Sequence, residues 1–169
     1  MADGQAKTGG DALIPAATIL LLRDGTEGLE VFMVVRHHQI DFASGALVFP
    51  GGKVDKLDMA PGVRERADGM EGLDDWEFSM RVAAIREAFE ESGVLLARSE
   101  QTGELIDAGR LKKLEHYRDP LNKGELGIAD FLTREGLRLC GDALTPFAHW
   151  ITPNMMPKRF DTRFSLASA

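Results

Sequence analysis

A chain of 169 residues, 44% apolar and 28% charged, suits one domain built around a single hydrophobic core. Its 27 acidic against 20 basic side chains leave a net charge of −7, which argues against general nucleic-acid binding, since that needs clustered cations to displace phosphate counterions. The longest apolar run, Ala16 to Leu22, is strand-sized, so no membrane span is expected, and the lone Cys140 cannot close an internal disulfide.

Met1 to Asp11 is polar and Gly-rich rather than signal-like. The expected organisation is a tail over residues 1–12 followed by a single domain over 13–169, with the cytoplasm, or an organelle matrix, as the address. Ile14 to Arg23 reads as a buried strand and Leu29 to Arg36 as the next, with Asp24-Gly25-Thr26-Glu27-Gly28 turning between them. Arg36, His37 and His38 close that hairpin. The histidines read as exposed loop residues, whereas the planar fork of Arg36 suits phosphate oxygens at any physiological pH. Gly45 to Phe49 returns to the sheet and Pro50 ends it. Gly51 and Gly52 then allow backbone to approach a ligand closely and present N–H groups to phosphate. Lys56 to Gly72, with four Gly or Pro breakers, reads as a surface loop holding one short helical turn.

The next segment is a helix with a definite start and stop. Asp74 and Glu77 form an Asp-x-x-Glu capping pair, Leu73 and Phe78 stand where a hydrophobic staple closes, and Gly93 supplies a left-handed stop. At about 100° per residue, Phe78, Val82, Ile85 and Phe89 share one face, and Glu87, Glu90 and Glu91 cluster on the opposite one. The expectation is one face for the core and one for cations. Those acids oppose helix stability: Glu87 repels Glu90 and Glu91 by about 0.2–0.5 kcal/mol per pair, near the negative end of the macrodipole. Arg86 reaches Glu90, and no base stands three or four residues from Glu87 or Glu91. Misplaced charge of this kind points to a hard divalent cation such as Mg²⁺ or Mn²⁺.

Val94 to Ala97 fits a strand and Gly103 to Asp107 a polar connection. Arg110 to Tyr117 makes a short helix ending before Pro120, and Ile128 to Arg134 a second. Cys140 lies among leucines as a small core residue. His149 to Pro153 and Phe160 to Leu166 read as strands, with Trp150 as a packing anchor. Lys158, Arg159 and Arg163 give the C-terminal third its densest positive charge, and are candidate partners for substrate phosphates.

Arg86-Glu87-Ala88-Phe89-Glu90-Glu91-Ser92-Gly93-Val94 resembles the second half of the Nudix box, and Phe49-Pro50-Gly51-Gly52 resembles its opening. The strings Ala46 to Asp55, Trp150-Ile151-Thr152-Pro153 and Lys158 to Phe164 resemble the Nudix-motif-19 branch, associated with hydrolysis of coenzyme A and its acyl esters. Between Gly52 and Arg86 stand 33 residues, 20 more than the compact box leaves. The early box Glu therefore has Asp58, Asp74, Asp75 and Glu77 as open counterparts, and the insertion falls at about 56–72.

The resemblance implies a Nudix-type α/β/α sandwich with a mixed sheet, and metal-dependent cleavage of a pyrophosphate bond. Glu87, Glu90 and Glu91 would hold Mg²⁺ or Mn²⁺ with Arg86 orienting them, and Arg36, Gly51, Gly52 and Lys53 would meet substrate. The implied partner is coenzyme A or an acyl-coenzyme A, giving adenosine 3′,5′-bisphosphate and a phosphopantetheine. Another nucleoside diphosphate derivative, ADP-ribose or a dinucleotide, is the alternative substrate, and a catalytically inactive nucleotide-binding module the alternative role. The family continues beyond the strand that ends near Leu166 into a further strand and helix, without counterpart here. The expectations are a shortened product or a wall supplied by another subunit, as in a homodimer.

Overall fold

The computed structural model describes residues 12–35 and 45–169. Arg36, His37 and His38 and the polar N-terminal stretch lie outside the described residues. The main sheet is organised on β1 (Ile14–Gly25), which bonds along its whole length and is apolar on both faces. A two-residue turn at Thr26-Glu27 returns the chain as β2 (Gly28–Val31), pairing Gly25 with Gly28. The expected second strand then breaks, and β3 (Val34–Val35) pairs instead with β4 (Leu47–Val48) in a separate ribbon.

Pro50 does not end the strand region. β5 (Gly51–Lys53) runs antiparallel to β1, placing Gly51 beside Thr18 and Lys53 beside Ala16. β9 (Thr145–Ile151) and β10 (Phe160–Ser168) complete the sheet, with β10 parallel to β1 from Ile14↔Phe160 to Leu22↔Ser168 and β9 at the edge. The sheet is therefore mixed, as expected.

Helix α1 (Asp75–Ser92) lies against β1 and β5. Asp74 caps it by accepting the Glu77 N–H at 2.8 Å, and Gly93 closes it at φ 79°, donating its own N–H to the Phe89 carbonyl. Ala17, Ile19 and Leu21 of β1 meet Val82, Ile85 and Phe89 in one continuous core. A second layer covers the far side of α1. It contains α2 (Ala108–Leu114), α3 (Arg118–Asn122), α4 (Ile128–Glu135) and a small sheet of β6 (Ala67–Asp68), β8 (Leu137–Cys140) and β7 (Ala97–Ser99). Phe131 of α4 stacks on Phe89 at 5.5 Å.

This second layer overturns several expectations. The Glu-bearing face of α1, expected to face cations, is covered: Arg86, Glu87 and Glu90 are buried and Glu91 is exposed. The segment over 56–72 is more than a surface loop, because Asp58 of its first 3-10 turn, Ala67 of β6, and Val63 and Met70 in the connections reach the interior. Helix α3 runs through Pro120, which falls in the first turn, where a missing N–H costs no helical bond. The strand expected over Val94 to Ala97 begins at Ala97, and Trp150 is 70% exposed on the edge strand rather than a core anchor. No helix among the described residues is long and apolar enough to cross a membrane.

Candidate active site

The last three turns of α1 gather around one guanidinium. Arg86 Nε donates to Asp58 Oδ1 at 2.7 Å and Nη2 to Asp58 Oδ2 at 3.1 Å. Nη1 donates to Glu87 Oε1 at 2.9 Å and to Glu90 Oε1 at 3.1 Å, and Nη2 also reaches the Lys53 carbonyl at 2.9 Å. All five N–H donors of the side chain are thereby used. Asp58, 0% exposed, is itself held by the Asp55 N–H at 2.8 Å within the 3-10 turn Lys56–Met59.

Of the four acids open as counterparts of the early box Glu, Asp58 is the one that meets Arg86; Asp74, Asp75 and Glu77 lie at the opposite end of α1. The signal was present in the sequence. Five residues separate Gly52 from Asp58, the interval that the compact box leaves before its early Glu.

The two glycines act differently from the expectation. Neither takes a positive φ, and both are strand residues. A Cβ on Gly52 would lie 2.4 Å from Glu87 Oε1, and one on Gly51 would lie 2.5 Å from the Ala17 carbonyl oxygen. At Gly51 a side chain would meet the fixed backbone of β1, so glycine is needed there; at Gly52 it would displace the Glu87 carboxylate. The Gly51 N–H, expected to face phosphate, donates to Glu91 Oε2 at 3.0 Å.

Two further residues, with no local signal in the sequence, hold Glu90. Arg118 Nε and Nη2 donate to the Glu90 carbonyl at 3.1 and 3.0 Å, and Asn122 Nδ2 stands 3.5 Å from Glu90 Oε2. Both belong to α3, 28 and 32 residues further along the chain.

The electrostatics of the cluster are unbalanced. Burial pushes the Glu90 carboxyl up to about 7 against the opposing pull of Arg86, and also raises Glu87 and Asp58. Burial opposes the Arg86 charge as well, but the Asp58 hydrogen bond and the charges of Asp58, Glu87 and Glu90 outweigh it and push its pKa up. One guanidinium faces three buried carboxylates.

Two clefts open on the cluster, with Glu87 lining both. The larger, about 900 Å³, is floored by Ala16, Thr18, Thr162 and Phe164 and reaches Gly51, Lys53 and Glu91. The smaller, about 310 Å³, lies between Glu90, Asp55 and Asn122. Among the described residues, no three acidic, imidazole or thiol side chains converge as a metal cage. Glu87 and Glu90 turn Oε1 to Arg86, and Glu91 turns Oε2 to Gly51. Cys140 is buried in β8, its thiol pushed up to about 11 by burial, as befits a core residue.

No family model matches the chain. It is 32% identical to a NUDIX hydrolase from Alicyclobacillus acidocaldarius known from a crystal structure, with a TM-score of 0.76 over 94% of this chain and 70% of that one. It is 34% identical over 151 residues to "Putative nudix hydrolase 7" of Caenorhabditis elegans, matching 89% of this chain and 43% of that protein. It is 24% identical over 189 residues to "Acyl-coenzyme A diphosphatase NUDT19" of Xenopus laevis, matching 84% of this chain and 48% of that protein. The chain thus spans about half the length of the curated relatives it matches.

Proposed function

The chain belongs to the Nudix hydrolase family, and on that premise we propose that it cleaves the pyrophosphate bond of a small nucleoside diphosphate derivative with the aid of Mg²⁺ or Mn²⁺. The observation that carries this reading is the charge imbalance at the wall of a cleft: Asp58, Glu87 and Glu90 are buried against the single charge of Arg86, with Glu91 beside them. A hard divalent cation fits that donor set, since carboxylate oxygens are its preferred ligands and its charge offsets the excess. Glu87, Glu90 and Glu91 would hold it. When bound, such an ion screens the diphosphate and makes water a better nucleophile towards phosphorus.

The chain's own residues supply position. Asp58 fixes the Arg86 fork, and Arg86 fixes one oxygen each of Glu87 and Glu90, so neither carboxylate has to be ordered when substrate arrives. Gly51 orients Glu91 through its N–H, and Gly52 leaves room for Glu87 between strand and helix. Lys53, which lines the cleft from β5, and Arg36 are the basic side chains proposed to meet substrate phosphate.

Coenzyme A or an acyl-coenzyme A is the substrate we favour, giving adenosine 3′,5′-bisphosphate and the corresponding phosphopantetheine. Support comes from the motif strings around Gly51, Trp150 and Phe160, and from similarity to a protein named as an acyl-coenzyme A diphosphatase. The test is release of adenosine 3′,5′-bisphosphate from coenzyme A by the purified chain in Mg²⁺ and then in EDTA. Release that stops in EDTA is expected. Preferential cleavage of ADP-ribose or a dinucleotide would keep the chemistry and replace the substrate. Ligand binding without turnover, unchanged by Mn²⁺, would overturn the reading in favour of a binding module.

A further inference from the structure

The larger cleft has an uneven charge distribution. Its floor is the β1 and β10 face opposite α1, carrying Ala16, Thr18, Phe160, Thr162 and Phe164, and Val34 and Leu47 add apolar wall. Glu87, Glu91 and Lys53 stand on the β5 and α1 side. Two strand spacings across β1 and four residues further along the sheet from the level of Lys53, roughly 16 Å away between backbones, Lys158 is the charged lining residue at the β10 side. Its Nζ lies 5.5 Å from the centroid of the Phe160 ring, and none of the ion pairs among the described residues includes it. Lys158 thus faces a cleft as a solvated cation over an aromatic floor, a combination suited to an anion attached to a planar or apolar body.

We infer that Lys158 binds a second anionic group of the substrate, separated from the cleaved diphosphate by the segment that lies over Phe160 and Phe164. This rests on the proposed function for the location of the diphosphate. It goes beyond that reading by making discrimination for a doubly anionic substrate a property of one side chain. Two sources carry this chemistry: a phosphate on the ribose of the nucleotide half, or a carboxylate at the far end of an acyl tail.

Cleavage products bind without turning over, so calorimetry can test the inference whether or not the chain proves catalytic. The full chain in Mg²⁺ is titrated with adenosine 3′,5′-bisphosphate against adenosine 5′-monophosphate, and with adipoyl-phosphopantetheine against hexanoyl-phosphopantetheine. One pair is expected to show about a tenfold preference for the member with the extra anion, as one charge-assisted contact provides. That pair identifies the source. K158M is expected to bring the preference below about threefold and K158R to retain it. No preference in either pair, or a preference that K158M leaves intact, would overturn the inference. A preference that obeys Lys158 in a chain without hydrolytic activity would leave the inference standing and remove the proposed function alone.

Discussion

The two ends of α1 use the same residue types to opposite effect. At the N-terminus Asp74, Asp75 and Glu77 are exposed, lie beside the positive end of the helix dipole, and include the cap that accepts the Glu77 N–H. At the C-terminus Glu87, Glu90 and Glu91 lie near the negative end, no base stands in the last turn, and two of the three are buried. The first set suits the helix. The second opposes the helix, and Arg86 holds Glu87 and Glu90 while the Gly51 N–H meets Glu91. A carboxylate cluster in the place least suited to it is what the proposed cation site would account for.

The sharpest way to break this contrast is Arg86→Met, which leaves Asp58, Glu87 and Glu90 without their common partner. A loss of about 3–5 kcal/mol is expected in urea unfolding, and a loss below about 1 kcal/mol would show that the carboxylates are not held by Arg86. Glu91→Gln should separate function from stability. Turnover is expected to fall at least about a hundredfold, while unfolding free energy changes by no more than about 0.5 kcal/mol and in the stabilising direction, because repulsion with Glu87 is relieved. Retained turnover would remove Glu91 from the site. The smallest effect belongs to the other end. Asp74→Ala removes the cap and is expected to cost about 1 kcal/mol without altering kcat. A large kcat effect there would erase the distinction between the two ends.

How legible these ends were in the sequence follows the same division. The helix bounds were readable because caps are local: Asp74 and Gly93 act within a few residues of themselves. The burial of the glutamate face was not, because the layer that covers it arrives from residues 108–135 and its docking leaves no mark on the periodicity of α1. The hydrogen bonds of Arg118 and Asn122 to Glu90 are invisible for the same reason. Gly51 and Gly52 stood out in the sequence, but their packing role in a strand did not. A pair of glycines after Pro reads as a turn, and only their distant neighbours, β1 beside Gly51 and Glu87 beside Gly52, show what a side chain there would meet. Asp58 was readable from spacing alone, although the enlarged interval before Arg86 obscured it. Trp150 shows the limit of composition, since a large aromatic on an edge strand carries no sequence sign of exposure.

The most direct test of the account is stability against pH, measured by urea unfolding in EDTA and again in Mn²⁺. The Glu90 carboxyl is raised from 4.5 to about 7 in the folded chain, and those of Glu87 and Asp58 are also raised. The folded state therefore holds more protons than the unfolded one between these values, so its stability in EDTA is full below about 4.5 and falls as pH rises towards about 7. A cation bound by the ionised cluster offsets that loss, and the predicted result is a stabilisation by Mn²⁺ that is absent at pH 4.5 and grows through pH 7. A stability in EDTA that rises across this window, with Mn²⁺ making no difference at its upper end, would contradict the claim that the buried acids are a cation site.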